Sequence, residues 1–486
     1  MKPRVFILGL DGADDFSLGA ATRRGLMPTL AGVVENRLLP LRSTPLPITP
    51  AAWTAAYTGY NPGKTGVLTF QRRRPNSYGG RIVNSLDVGE NGFHTRLASA
   101  GKCVIGIGFP MMSPPPKSSA LIVSGWDSAP EAPVVNRPEL LPTLARFGLR
   151  IDDEFETSVS VLSKGIEARF AVMRELLASN DWDCAMLYLG FIDSLGHRLG
   201  AGNAATDQLL AKVDQELATA VRSFPENVSF IVCSDHGFGR FTRSFSVMQW
   251  LEAQGYLSLR SRSFRNAASI PGVDVMDLET GVIDWTKTRA FCWEAVGRHA
   301  AISLNIKGEY PGGIVTPREA FALAGEIIQN LHSTTDPETG ERLVVAANRR
   351  EELFWGPHVG EFPEVFLETA DGVTAFVGKR TRVDGGFDLE PGIVHSGSFN
   401  SHHDDGIWGS SFHVDDANLG IEDLAPTVYA LLGESIPNDC DGVNRSPRQS
   451  LAAGAALATA NDRGKSVYSA EEEEIVRKRL EDLGYL

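Results

Sequence analysis

Short apolar runs alternate with longer helical patterns through the first half of the chain: VFILGL at 5–10, CVIGIGF at 103–109, CAMLYLG at 184–190 and VSFIVCS at 228–234. Runs of this length, apolar on both faces and rich in Val, Ile and Leu, predict strands buried on both sides. Residues 165–177 and 207–223 between them carry helical periodicity and predict crossover helices. Strands alternating with helices in this way predict an α/β fold, here a three-layer α/β/α sandwich around a mostly parallel central sheet.

The pattern falters twice. Residues 112–165 open on the proline-rich MMSPPPKSS and show no clear period, and residues 255–385 mix strand-like runs, turns and charged loops. Both are expected to be inserted cap segments that shape substrate access on one catalytic domain spanning residues 1–450. In the tail, 451–486, Ser469 precedes four glutamates and then basic residues. That order predicts a capped, dipole-compatible short helix, docked by Leu480, Leu483 and Leu486.

Composition narrows the function classes. The chain has 486 residues, 43% hydrophobic and 22% charged, and no apolar stretch of about 18 residues, so no membrane span is expected. The opening MKPRVFILGLDG runs directly into Asp11 and Gly12, which predicts a first strand and not a leader peptide. Five scattered cysteines without CxxC spacing suggest neither a disulfide framework nor a thiolate zinc site, and a cytoplasmic setting is expected. A net charge of −14 opposes binding to nucleic acid polymers, and the run Arg72–Arg74 is too short to reverse that.

Three of the apolar runs end at an acid: Asp11, Asp193 and Asp235. Open α/β sheets bind ligands outside the carboxyl ends of their strands, so these acids are expected to meet in one crevice. SDHGFG sets Asp235 beside His236, and a carboxylate with an imidazole suits a metal such as zinc, although solvated loops carry such pairs too. FIDSLGHRLG sets Asp193 and His197 four apart, on one face of a helix, where they can grip one ion or form a plain surface pair. In GSFNSHHDDG, His402 and His403 are neighbours in an extended loop, where adjacent side chains point apart, so one of the two is expected at a metal. These residues suffice for two zinc-like ions with three protein ligands each, an arrangement that clamps both oxygens of an in-line displacement at phosphorus. Thr49, in LPITPAAWTAAYTG, reads as a helix N-cap with Pro50 at the first helical position, and equally as the oxygen nucleophile such a site needs.

The ordered set LGLDGAD, TPAAWTAAYTGYNPGKTGV, DSLGHRLG, SDHGFG, SHHDDG and IEDLAPTVYALLGESIPNDCDG resembles the alkaline phosphatase superfamily, within it the type I phosphodiesterase and nucleotide pyrophosphatase branch. Fainter echoes are DWTKTRAFCW and ISLNIKGEYPGGIV, and the likeness runs from residue 5 to about 445. The resemblance implies an alkaline phosphatase-like fold and two divalent ions, zinc first and manganese as the alternative. One would be held by Asp11, Asp235, His236 and the Thr49 oxygen, the other by Asp193, His197 and His402. His402 is preferred to His403 because the family's ligand histidine precedes an acid and a glycine at the spacing of Asp405 and Gly406. Thr49 would attack a small phosphorylated substrate and form a phosphothreonine that metal-activated water then hydrolyses. Two positions depart from the family: Thr65 stands where relatives often have histidine, and Phe70 where diesterases carry a substrate-gripping asparagine. Phe70 therefore marks a substrate-binding position, and Lys64 is the candidate for the missing electrostatic contact. The expected activity is cleavage of phosphodiester, nucleotide or related phosphoryl ester bonds. A phosphomonoesterase, a phosphonate hydrolase and a catalytically silent phospho-ligand-binding protein are the alternatives.

Overall fold

The computed structural model describes residues 2–128, 134–265, 282–383, 386–415, 418–448, 451–454 and 468–483. Its main strands are β1 (Arg4–Leu10), β2 (Leu38–Arg42), β3 (Val104–Ile107), β4 (Leu121–Val123), β5 (Cys184–Leu189), β6 (Val228–Cys233), β7 (Gly237–Ser246), β8 (Ala290–Val296), β9 (His299–Leu304), β10 (Val344–Arg349), β11 (Val365–Thr369), β12 (Val373–Phe376), β13 (Val394–His403) and β14 (Asp405–Ser410). The principal helices are α1 (Thr49–Thr58), α2 (Val159–Ser179), α3 (Phe191–Leu199), α4 (Ala204–Val221), α5 (Pro317–His332), α6 (Leu424–Leu431) and α7 (Ala470–Leu483).

Seven strands form the central sheet in the order β2-β14-β6-β1-β5-β3-β4. The β1, β3, β4, β5 and β6 pairings are all parallel, whereas β14 runs antiparallel to both β6 and β2. Because side chains alternate across a strand, β1 feeds two cores. Val5 and Ile7 pack with Trp53 of α1, Tyr429 of α6 and Leu480 of α7. Phe6, Leu8 and Leu10 pack with Phe170 of α2 and Leu209 of α4. Helices therefore cover both faces, and the layers are those of an α/β/α sandwich.

Five smaller sheets accompany the central one among the described residues, and two of them carry the remaining strands named above. Strands β8, β9, β11 and β10 form an antiparallel sheet backed by α5, with a third core around Phe291, Ile302, Ile327 and Val365. Strand β7 lies between β12 and β13. The segment 112–165 contributes β4, the edge strand of the central sheet, so it is partly built into the sandwich. Within 255–385, residues 266–281 and 384–385 lie outside the described residues, as do residues 129–133 of the first segment and Leu486 of the tail.

The tail helix forms with a capping box, in which the Ser469 amide donates to Glu472 Oε2 (2.8 Å) and the Glu472 amide donates to Ser469 Oγ (3.2 Å). It docks firmly: Val476 and Leu480 are buried, and Glu473 accepts from the Ile82 amide at 2.9 Å and from Arg74.

Strand β1 is the keystone of both cores, and Leu8 is fully buried in one of them. Leu8→Ala is expected to lower unfolding free energy by about 2–5 kcal/mol, measured by urea titration; a loss below about 1 kcal/mol would show that the site relaxes around the cavity.

Candidate active site

The carboxyl edge of the sheet delivers the first three candidate ligands. Asp11 follows β1, and Asp235 and His236 follow β6; all three are fully buried. Gly12 turns the chain at φ +70°, and a Cβ there would stand 2.9 Å from the Asp193 Cβ, so a glycine is required by conformation and by space. Ser234 fastens the two strand ends, its hydroxyl accepting from the Ala13 amide (2.9 Å) and donating to the His236 carbonyl. His236 Nε2 lies 3.5 Å from Asp11 Oδ1 and 3.2 Å from Asp235 Oδ2.

The second group forms on different elements. Asp193 and His197 sit one turn apart on α3, with His197 Nε2 3.5 Å from Asp193 Oδ1. His402 comes from the end of β13, paired opposite Phe238 of β7, and its Nε2 lies 3.3 Å from Asp193 Oδ1 and 3.1 Å from His197 Nε2. The expected extended loop is thus the end of a strand, and the alternation holds: His402 is buried, while His403 turns outward onto Phe241, ring centroids 5.5 Å apart. The imidazoles of His402 and His236 stack at 3.7 Å, which joins the two groups.

Hydrogen bonds select the tautomers. His236 Nδ1–H donates to the Gly237 carbonyl (3.0 Å) and His402 Nδ1–H to the Pro47 carbonyl (2.7 Å), leaving each Nε2 lone pair directed at the carboxylates. Burial holds His236 well below the usual histidine range, with His402 adding to the effect, so it stands neutral as a metal ligand must. Burial pushes the Asp11 carboxyl up to about 7, reinforced by Asp193, and pushes Asp235 well above its ordinary value, reinforced by Asp11 and Asp193. Asp193 is raised by burial, but His197 and His402 more than offset this and hold it well below.

Whether divalent ions suit these groups is tested by the carboxylates themselves. Asp11 Oδ2 accepts from Tyr188 OH (2.6 Å) and Trp53 Nε1 (3.1 Å), and Asp235 Oδ1 accepts from the Gly12 amide (3.3 Å). Asp11 Oδ1 and Asp235 Oδ2, the oxygens nearest His236, are buried and accept no hydrogen bond. Two buried acids served only by neutral donors, each with one oxygen turned toward a neutral imidazole, fit a cation. Each set of three places its ligand atoms within 4.8 Å of one another, so Asp11, Asp235 and His236 could hold one ion and Asp193, His197 and His402 a second.

Thr49 stands beside the first group. The N-cap of α1 is Ile48, which corrects the expectation from sequence: Thr49 is the first helical residue and Pro50 the second, and no side chain caps the helix. The threonine hydroxyl is thereby released from capping; fully buried, it lies 3.5 Å from His236 Nε2.

Lys64 and Phe70 have partners outside this set. Lys64 Nζ pairs with Asp441 (2.7 Å) and donates to the Asp439 carbonyl, so in this structure its charge is engaged in a salt bridge. Phe70 is buried against Trp126, ring centroids 5.9 Å apart, as a core side chain. Trp53 and Tyr188 are the residues that sequence reasoning passed over. Trp53 is four residues after Thr49 on one helix face, and Tyr188 pairs in register with Gly9, whose missing side chain leaves room for Trp53 and Phe109, a placement that only the fold reveals.

The 255–385 segment also reaches the site. At the β8–β9 turn, Gly297 (φ +55°) donates its amide to Ser401 Oγ at 2.9 Å, and a Cβ there would lie 2.3 Å from the His402 carbonyl oxygen.

The profile of the type I phosphodiesterase / nucleotide pyrophosphatase family matches residues 5–388. No curated protein matches significantly. Among solved structures, phosphonoacetate hydrolase from Sinorhizobium meliloti 1021, in complex with phosphonoformate, is similar with a TM-score of 0.59 and 15% identity, covering 88% of this chain and 95% of that one. Its complex with phosphonoacetate gives 0.61 at the same identity and coverage. An inactive murine ectonucleotide pyrophosphatase / phosphodiesterase 5 in complex with AMP gives 0.51 at 13% identity, covering 93% of this chain and 98% of that one. At such identities the likeness is one of fold.

The raised Asp11 and Asp235 imply a pH signature. In the ion-free protein Asp11 keeps its proton up to about pH 7 and Asp235 is likewise raised, so an incoming cation must displace these protons. Zinc titrated into ion-free protein is expected to release protons at pH 6 and to bind more weakly there than at pH 8, read by calorimetry in two buffers of different ionisation enthalpy. Equal affinity at both pH values would contradict it.

Proposed function

We propose, from the premise that this chain belongs to the type I phosphodiesterase / nucleotide pyrophosphatase family and is a hydrolase of phosphoric ester bonds, that Thr49 is its nucleophile and that two divalent ions lie in the two ligand groups. The carrying observation is the Thr49 hydroxyl, buried, free of any capping bond and 3.5 Å from His236 Nε2. The mixed carboxylate and imidazole donors favour zinc, with manganese as the alternative. Bound there, such ions supply Lewis acidity that activates an oxygen nucleophile and neutralises charge on phosphoryl oxygens.

The chain's own residues do the rest. Thr49 forms a bond to phosphorus as the ester oxygen leaves, and water then cleaves the phosphothreonine to restore the hydroxyl. A phosphoryl group on Thr49 sits at the N-terminus of α1, where the helix dipole favours negative charge. Trp53, on the same helix face, and Tyr188 hold Asp11 in place by its Oδ2. The substrate class is a small phosphodiester or nucleotide. Residues 255–385, whose Gly297 turn rests on Ser401 and His402, are assigned to shaping substrate access. No helix among the described residues is long and apolar enough to cross a membrane. All five cysteines are free thiols, which supports a cytoplasmic setting.

Thr49→Ala is expected to reduce turnover of bis(4-nitrophenyl) phosphate by about a thousandfold or more while ion content is kept, and Thr49→Ser to retain part of it. Wild-type protein quenched during turnover should carry phosphate on the peptide containing Thr49. Full activity of Thr49→Ala would sink the proposal.

A further inference from the structure

Behind Asp11 runs a line of contacts that ends in the C-terminal helix. Tyr188 OH donates to Asp11 Oδ2 at 2.6 Å and itself accepts from Trp126 Nε1 at 3.1 Å. Trp126 stands in a tight loop, in which Ser128 Oγ donates to the Gly125 carbonyl at 2.8 Å. Gly125 is pressed so closely to the chain at 108–109 that a Cβ would lie 2.5 Å from the Gly108 carbonyl oxygen. From the far side, Arg479 of α7 donates to the Ser128 carbonyl at 2.7 Å, and Tyr468 OH reaches Ser113 Oγ and the Asp127 carbonyl at 3.4 and 3.5 Å. Val476 and Leu480 of the same helix share a core with Trp53, Trp126 and Tyr188.

We propose that Tyr188 is a positioning residue for Asp11, and that α7 acts on the first ligand group from a distance through Ser128, Trp126 and Tyr188. Asp11 needs one oxygen held and the other presented. Tyr188 and Trp53 take Oδ2, which leaves Oδ1 as the single ligand atom facing His236. A tyrosine hydroxyl has one proton to donate, so its direction depends on what it accepts. Trp126 Nε1–H occupies the accepting side and leaves the proton for Asp11. The tryptophan can do this only while the 125–128 loop keeps its place, and the Arg479 bond holds that loop. Groups that orient a metal ligand in this way typically affect ion affinity or activity by about 10–100-fold. The inference rests on the reading of Asp11, Asp235 and His236 as holding an ion.

The test is zinc affinity of the full-length chain, measured against a chelator of known affinity, for wild type, Tyr188→Phe, Arg479→Met and the double variant. Tyr188→Phe is expected to weaken one of two bound zinc ions by about 10–100-fold and to spare the other. Arg479→Met should weaken the same ion by a smaller factor, and the double variant should be no weaker than Tyr188→Phe alone, because both act along one line. Should Tyr188→Phe fail to fold, Trp126→Phe removes the donor to Tyr188 and is expected to weaken the same ion. Wild type binding two ions with every variant unchanged, or losses that multiply in the double variant, would overturn the inference and leave the two-ion reading standing. Wild type that takes up no zinc or manganese would overturn both.

Discussion

Buried negative charge is the constraint on which this molecule is organised. Asp11 and Asp235 are removed from water, stand near each other, and receive hydrogen bonds from an indole, a phenol and a backbone amide. Such donors soften the cost of burial without cancelling it, because none carries a full positive charge. The cluster therefore fits a cation, and three kinds of contact shape its surroundings. Glycines 12 and 297 let backbone approach the ligands, the histidine tautomers are committed to carbonyls, and aromatic rings of α1 and β5 keep water out.

Much of this was legible in the sequence. The apolar runs became β1, β3, β5 and β6, and their ends brought together acids separated by more than two hundred positions, because a parallel sheet aligns its carboxyl edges. Contacts made by side chains without charge were harder to read. Trp53 and Tyr188 look like core residues, and they are; the polar atom at the tip of each ring carries the second role, and only three-dimensional proximity to Asp11 reveals it. Lys64 shows the converse. A lysine near a nucleophile suggests a phosphate contact, but an acid far along the chain, Asp441, folds back to claim it. Strand β4 escaped because three residues after a proline-rich run give no period to detect.

The two ligand groups also differ in how they are assembled. The first is drawn from two adjacent strands of the central sheet, whereas the second joins α3 to β13, a strand of another sheet, with the β8–β9 turn resting on its last residues. Changes in the 255–385 region can therefore reach His402 mechanically without touching any ligand. Within that region the turn at Gly297 is bound to keep its shape, because the His402 carbonyl stands against it.

The reversed strand β14 has a consequence for how the chain comes to exist. It lies between β2 and β6, yet it is made long after both. As the polypeptide leaves the ribosome, β1, β5 and β6 can zip together early, but β2 has no neighbour to pair with until residues 405–410 arrive. The slot must stay open until then, with the facing edges of β2 and β6 unpaired. His402 emerges immediately before that slot is filled, so closure of the sheet and completion of the second ligand group fall at nearly the same moment in the life of the nascent chain.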